Sequence, residues 1–239
     1  MDKILNKDRA VISSMFNSIA GKYDLLNHLL SLGIDKIWRR KLVKFVKSKR
    51  PGIVLDLACG TGDLTIALYK AGLKVIGMDI AEGMIDVAKA KCSNFPAEDK
   101  LKPEYLLAPA ELIPLEDKSV DAVTIAFGIR NFENRNQSFK EIKRVLKSNG
   151  YLAILEFATP KNLLWKGMFN IYFFYILPLI GKIISKDSSA YSYLPESVMS
   201  FPKYDQFCKE LVESGFTDVR YKSLTGGVAL LYTARRADN

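Results

Sequence analysis

A chain of 239 residues, 49% hydrophobic and 26% charged, has the size and composition of one elaborated globular domain rather than two. Its net charge of +9 sits almost entirely in residues 1–50, where twelve Lys and Arg face four Asp, while the other 23 basic and 22 acidic residues nearly cancel. Three cysteines (Cys59, Cys92, Cys208) without a C-x-x-C pair, and a single histidine, His28, argue against a disulfide framework, a structural zinc site or a His-based metal centre. With no secretory leader in view, they point to a reducing cytoplasm.

In chain order, residues 1–50 read as two or three helices forming a basic cap. Its charged face suits anionic lipid headgroups, nucleic-acid phosphates or plain solvent. From residue 51 strand-like and helical runs alternate: "IVLDLA", a helix from about Asp63, "KVIGMD", a helix from Glu82, "EYLLAP", "VDAVTIAF", a helix from about Asn134, then "YLAILEF". Continuous apolar strands separated by helices predict a parallel sheet covered on both faces. "FTDVRYK" and "GVALLYTA", joined through Gly226-Gly227, predict a C-terminal antiparallel hairpin.

The expected architecture is therefore α/β and Rossmann-like. It has seven strands, mostly parallel, with helices on both faces and an N-terminal helical cap. An insert at about 162–202 interrupts the 51–239 domain. Its apolar run, Leu163 to Ile184, is broken by Lys166, Asn170, Pro178 and Lys182, so it reads as a lipid-facing or substrate-covering element rather than a spanning helix.

"VLDLACGTGD", Val54 to Asp63, carries an acid inside an apolar strand and two glycines after it. An unpaired buried carboxylate is costly, so Asp56, Gly60 and Gly62 suggest backbone shaped around a polar ligand beyond the end of a central strand. The full G-x-G-x-x-G of dinucleotide sites is missing, because Asp63 follows Gly62 and no third glycine opens the helix. Asp79 ends the second strand, where an acid accepts ribose hydroxyls. A short glycine loop between two such acids fits a nucleoside with a cationic tail and no phosphates, which describes S-adenosylmethionine.

"DLACGTGD" with "MDIAEGM" resembles the class I methyltransferase nucleotide site. Three further blocks narrow the resemblance: "YDLLNHLLSLGIDKIWRR" (Tyr23–Arg40), "FGIRNFEN" (Phe127–Asn134) and "RVLKSNGYLAILEFATP" (Arg144–Pro160). Together, over roughly residues 10–236, the chain resembles the quinone-biosynthesis C-methyltransferases. The resemblance implies S-adenosylmethionine as cofactor, held by Asp56, Ala58, Gly60, Thr61, Gly62, Asp63, Asp79, Ile80, Met84, Pro109, Ala110 and Ala126. Some positions depart from the family pattern. Pro109 stands where Asp or Asn usually precedes Ala-Glu, Ala126 replaces a Ser before "FG", Asp35 replaces a common His, and "KSNG" replaces Lys-Pro-Gly-Gly.

The implied acceptor is a reduced, prenylated quinol, demethylmenaquinol first and a polyprenyl methoxybenzoquinol second. A quinone is electrophilic, whereas a quinol carbon becomes nucleophilic once a neighbouring phenol, of pKa about 10 by analogy with tyrosine, loses its proton. Methyl transfer then requires alignment and stabilisation of the phenolate. Arg130 is the expected phenolate stabiliser, unless a carboxylate on a helix claims it, and Asn131 the expected contact to a ring oxygen.

Tyr23 and Asp24 belong to the block expected to close over the cofactor, with Asp24 equally suited to cap a helix. His28 has the pKa of a base, although a lone His on a helical face is more often structural. Glu156 faces the pocket floor or bonds a backbone amide, and Cys59 contributes small size. The aromatic insert "MFNIYFFYILPLI" offers a groove for the isoprenoid tail, and the basic cap a resting face on an anionic membrane, making the protein cytoplasmic and peripheral. No metal and no nucleic-acid partner is expected, and a homodimer is left open. A non-catalytic prenyl-lipid or membrane-surface binding module is the reading from another class, and intact Asp56, Gly60, Gly62 and Asp79 argue against it.

Overall fold

The computed structural model describes residues 7–31, 33–96, 98–176 and 189–238. The basic segment forms two helices, α1 (Arg9–Leu30) and α2 (Ile34–Ser48). In α2 the buried side chains Asp35, Trp38, Leu42 and Val46 recur every three or four residues and define one inward face. Lys36, Arg40, Lys41, Lys44 and Lys47 remain exposed, so the charge excess of the segment forms the outer surface of this helix.

Alternation then follows the sequence pattern: β1 (Ile53–Leu57), α3 (Asp63–Lys70), β2 (Lys74–Asp79), α4 (Glu82–Lys91), β3 (Glu104–Leu107), β4 (Val120–Ala126), α5 (Arg135–Val145) and β5 (Leu146–Phe157). Asn134 lies just outside α5 as its cap, its side chain accepting from the Gln137 amide at 3.0 Å. β5 starts earlier than its apolar core suggests, because Lys147–Gly150 extends the strand before the run of buried side chains begins at Leu152. The insert supplies α6 (Leu163–Ile171), a wide helical turn at Tyr172–Ile176 and α7 (Ser189–Ser200). Residues 177–188, part of the run expected to line a tail groove, lie outside the described residues. The chain closes with α8 (Asp205–Glu213), β6 (Phe216–Leu224) and β7 (Ala229–Arg236).

The seven strands form one sheet in the order β3-β2-β1-β4-β5-β7-β6. The first five are parallel, and β7 pairs antiparallel with both β5 and β6, as expected for a C-terminal hairpin. Chain order reverses between β1 and β4, the switch point at which open parallel sheets leave a crevice beyond their carboxyl ends. Apolar clusters cover both faces. One includes Leu55, Leu57, Ile125, Phe139, Phe207 and Tyr232, and the other includes Trp38, Leu42, Val54, Leu68 and Val75. α2 thus completes the second cluster, and α1 packs against α4, which hangs the cap over the crevice.

Candidate cofactor and acceptor site

A pocket enclosing about 700 Å³, its solvent-open mouth included, occupies that crevice. Its floor comes from the turns after β1 and β4, which approach each other closely. Ala58 (φ 56°) and Phe127 (φ 61°) both adopt left-handed backbone, and a Cβ on Gly128 would stand 2.5 Å from the Ala58 Cβ. Only glycine fits at position 128 with Ala58 in place. The α3 entry is similarly tight, since Gly62 has φ 81° and an added Cβ would meet the Tyr105 hydroxyl at 2.9 Å.

Asp79 lines the pocket at the end of β2. Its Oδ2 accepts from the Gly60 amide at 2.8 Å and its Oδ1 from the Ala81 amide at 2.9 Å. Burial pushes its pKa up, against the pull of these amides. Each oxygen keeps a further lone pair for a ribose hydroxyl. Ile80, Met84, Ala108 and Ala110 add the apolar walls a purine requires, and Gly60, Ala58 and Ala126 bring small surfaces to the centre. These residues fit S-adenosylmethionine, which when bound supplies an electrophilic methyl group.

Asp56 has a different place. It is fully buried and absent from the pocket lining, with Oδ2 accepting from Thr65 Oγ1 at 2.6 Å and Oδ1 from Thr124 Oγ1 at 2.9 Å. Burial raises its pKa to about 6, the two hydroxyls pulling the other way. Its carboxylate ties β1 to α3 and β4 beneath the loop rather than meeting a ligand. Burial also lifts the Cys59 thiol well above its usual value, which keeps it protonated and inert.

From the cap, Ile12, Phe16 and Tyr23 reach the pocket, with Phe16 and Tyr23 edge to face at 6.0 Å. Asp24 braces this cover: it accepts from the Thr61 hydroxyl and pairs with Lys91 of α4. Lys91 also lies 2.8 Å from Asp63, which in turn sits 3.5 Å from Arg39 of α2. Thr61 and Asp63 therefore join a network of charges around the loop, and neither they nor Gly62 and Pro109 line the pocket. The side chain of His28 lies outside the described residues.

Past β4, Asn131 lines the pocket and Arg130 lies behind that lining. Arg130 is 5% exposed. Its guanidinium donates to Glu156 Oε1 at 2.8 Å, to the Phe127 carbonyl and to Ser197 Oγ at 3.3 Å, and it lies over the Phe157 ring. The carboxylate that claims it belongs to strand β5, not to a helix. Asn131 Oδ1 accepts from the Tyr193 hydroxyl at 3.0 Å, and burial raises the pKa of that phenol. Tyr193 and Ser197 bring α7 to this wall.

Sequence reasoning passed over Lys7, Arg9, Phe16, Glu111, Glu133 and Tyr193 at this site. Glu111, in "PAELIPL" (Pro109–Leu115), lines the pocket and accepts from the Asn134 amide at 3.0 Å; its place between the Asp79 turn and α5 was the available signal. No pattern flagged Lys7 or Tyr193, which arrive from opposite ends of the chain.

With this geometry in place, comparison with known proteins identifies the class. Residues 3–236 match the model of the ubiE/COQ5 methyltransferase family. The chain belongs to this family. It is 43% identical to the ubiquinone/menaquinone biosynthesis C-methyltransferase UbiE of Geotalea uraniireducens, over 94% of this chain and 96% of the relative. It is 41% identical to the demethylmenaquinone methyltransferase of Bacteroides fragilis, over 94% and 92%. Among solved structures, a SAM-dependent methyltransferase from Thermotoga maritima superposes with a TM-score of 0.62 at 17% identity, covering 93% of this chain and 99% of that one, a likeness of fold. This ubiE/COQ5 methyltransferase is thus a SAM-dependent C-methyltransferase with a Rossmann-like core.

Proposed function

We propose that this methyltransferase transfers the methyl group of S-adenosylmethionine to a ring carbon of demethylmenaquinol, giving menaquinol. The observation that carries this reading is the near full-length similarity to demethylmenaquinone methyltransferases, joined to a pocket whose central walls match the donor. Asp79 holds the ribose, and the apolar residues around Ile80 and Ala110 take the adenine. The Ala58–Gly128 contact supports the methionine end, and Tyr23 covers it from the cap. The quinol ring lies beyond β4, where Asn131 contributes a polar contact. Arg130 acts there through the wall it builds with Glu156, holding Asn131 in place.

The acceptor's isoprenoid tail places the enzyme at a membrane surface. Among the described residues no helix is long and apolar enough to cross a membrane. α6 instead exposes Leu163, Leu164, Trp165, Met168 and Ile171. The turn at Thr225–Gly227 touches both this helix and the basic one: Trp38 of α2 donates to Thr225 Oγ1 at 2.8 Å, and Gly226 packs against the Trp165 ring. Apolar α6 and basic α2 therefore flank one turn. That combination suits partial insertion among anionic headgroups.

The test is methyl transfer from labelled S-adenosylmethionine to chemically reduced demethylmenaquinone and to the prenylated methoxybenzoquinol in parallel. Label on the naphthoquinol supports the assignment. Label on the benzoquinol alone, or on neither while the cofactor binds, overturns it.

A further inference from the structure

Among the described residues two cations, Lys7 and Arg9, line the pocket, and they differ in their partners. Arg9 Nε sits 2.7 Å from Glu133 and 3.6 Å from Glu111. Lys7, half-buried, has no carboxylate within ion-pair distance among the described residues. The charges that act on it most are Arg135 and Arg130, which oppose its protonation, and Glu210 and Glu156, which favour it. Those two carboxylates are already engaged, Glu210 with Arg135 at 2.7 and 3.2 Å and Glu156 with Arg130 at 2.8 Å. Burial is the largest influence on Lys7 and lowers its pKa below the ordinary lysine value. An amine held in a partly desolvated pocket, with its neighbouring acids spoken for, is poised to accept a proton from a phenol and remain beside the anion it creates.

The same wall offers a second handle. Because the Asn131 carbonyl oxygen is taken by the Tyr193 hydroxyl, its amide N–H groups are left for an acceptor oxygen.

We propose that Lys7 is a catalytic base that deprotonates the acceptor quinol and holds the resulting phenolate, with Asn131 orienting the ring through its amide. This rests on the quinol reading above. The phenolic O–H proton passes to the Lys7 amine. The oxygen electron pair is delivered through the ring to the carbon that forms the new bond, as the sulfur–methyl bond breaks and its electron pair stays on sulfur. The ring carbon's proton then leaves to water, its C–H pair restoring the aromatic ring. The phenolate recovers a proton from the Lys7 ammonium, so one proton is released per methyl transferred.

The experiment is single-turnover methyl transfer by the full chain, saturated with S-adenosylmethionine, to a reduced short-tailed demethylmenaquinone, across pH 6 to 10. Lys7→Met and Lys7→Arg are compared with the unsubstituted protein, and cofactor affinity is measured separately by calorimetry. Lys7→Met should lower the transfer rate by about 100-fold or more, the size expected for a general base, with cofactor affinity within threefold. Lys7→Arg keeps the charge and cannot act as base at these pH values. It should retain part of the rate and lose the rise in rate that the unsubstituted protein shows as Lys7 deprotonates.

Arg130, Arg135, Arg9, Glu156, Glu210, Glu111 and Glu133 surround the site and are present in all three proteins, so a limb lost only on substitution belongs to Lys7. A Lys7→Met rate within threefold of the original overturns the proposal. So does a parallel loss of cofactor affinity, which would assign Lys7 to the donor site. Absence of quinol methylation by the unsubstituted protein, with the cofactor bound, overturns the acceptor reading itself and this inference with it.

Discussion

Arg130 and Glu156 form an ion pair at 2.8 Å with both side chains almost wholly out of water, one residue from the pocket wall at Asn131. Glu156 Oε1 also accepts from the Phe157 amide at 2.9 Å, and the guanidinium donates to the Phe127 carbonyl. The pair therefore clamps the end of β5 to the turn after β4. Removing one partner leaves a buried charge uncompensated, a loss of about 3–5 kcal/mol in comparable pairs. Arg130→Ala should lower stability by that order in urea unfolding. Arg130→Met combined with Glu156→Gln, which removes both charges, should recover a large part of it. If Arg130→Ala unfolds at the original urea concentration, the clamp is not what holds this turn.

A second prediction concerns the Ala58–Gly128 contact. Gly128 has φ −110°, a backbone any residue adopts, so the obstacle to a side chain is the Ala58 Cβ alone. Gly128→Ala should push the two turns apart and weaken cofactor binding by about tenfold or more, within the usual cost of 1–3 kcal/mol for overpacking. Ala58→Gly vacates the space and also relieves a left-handed alanine at φ 56°. The double variant should bind the cofactor nearly as the original does in calorimetry, and failure of that rescue would place the constraint elsewhere.

The turn that α6 and α2 flank leads to a third. Leu164 and Ile171 are 74% and 59% exposed, so charged replacements there disturb no core packing. Leu164→Glu with Ile171→Glu should abolish sedimentation with phosphatidylglycerol vesicles while turnover on a short-tailed quinol stays within twofold. On the proposed membrane reading, in which the exposed Lys and Arg of α2 supply the electrostatic part, added salt should weaken vesicle binding of the original protein. Equal sedimentation of variant and original would remove α6 from the membrane contact.

The sheet was legible because its strands are buried on both faces and announce themselves as apolar runs, and because Asp79 and the glycine turn fall at predictable strand ends. Less legible was what each polar residue faces. Asp56 and Asp79 stand in equivalent sequence settings, yet one meets two threonines under the loop and the other lines the pocket. The difference depends on Thr124, contributed by a strand 68 residues away. Arg130 and Asn131 are neighbours in a tight turn and both reach α7, yet Asn131 lines the pocket while Arg130 is claimed by Glu156, which no spacing rule foretells. Lys7 and Tyr193 converge there only through the fold. The network of Asp24, Lys91 and Asp63 likewise joins three helices.

Asp56 also gives the chain a pH signature. Its folded pKa of about 6 lies above the value near 3.9 of an exposed aspartate, so between these limits the folded state binds more protons than the unfolded one. Stability from this group is therefore full below about pH 4 and is lost as pH rises through 6, by roughly 3 kcal/mol for a shift of this size. Asp79, also raised by burial, adds a contribution of the same sign. Asp121 and Glu141, lowered by Lys147 and Arg144, contribute the opposite sign at lower pH. A difference measurement separates Asp56 from the rest. Asp56→Asn cannot ionise and keeps polar atoms for Thr65 and Thr124, so the stability gap between original and variant should shift in favour of the variant from pH 4.5 to 7. A gap that stays constant over that range in urea unfolding would mean that Asp56 titrates at its ordinary value, with the threonine hydroxyls offsetting the cost of burial in full.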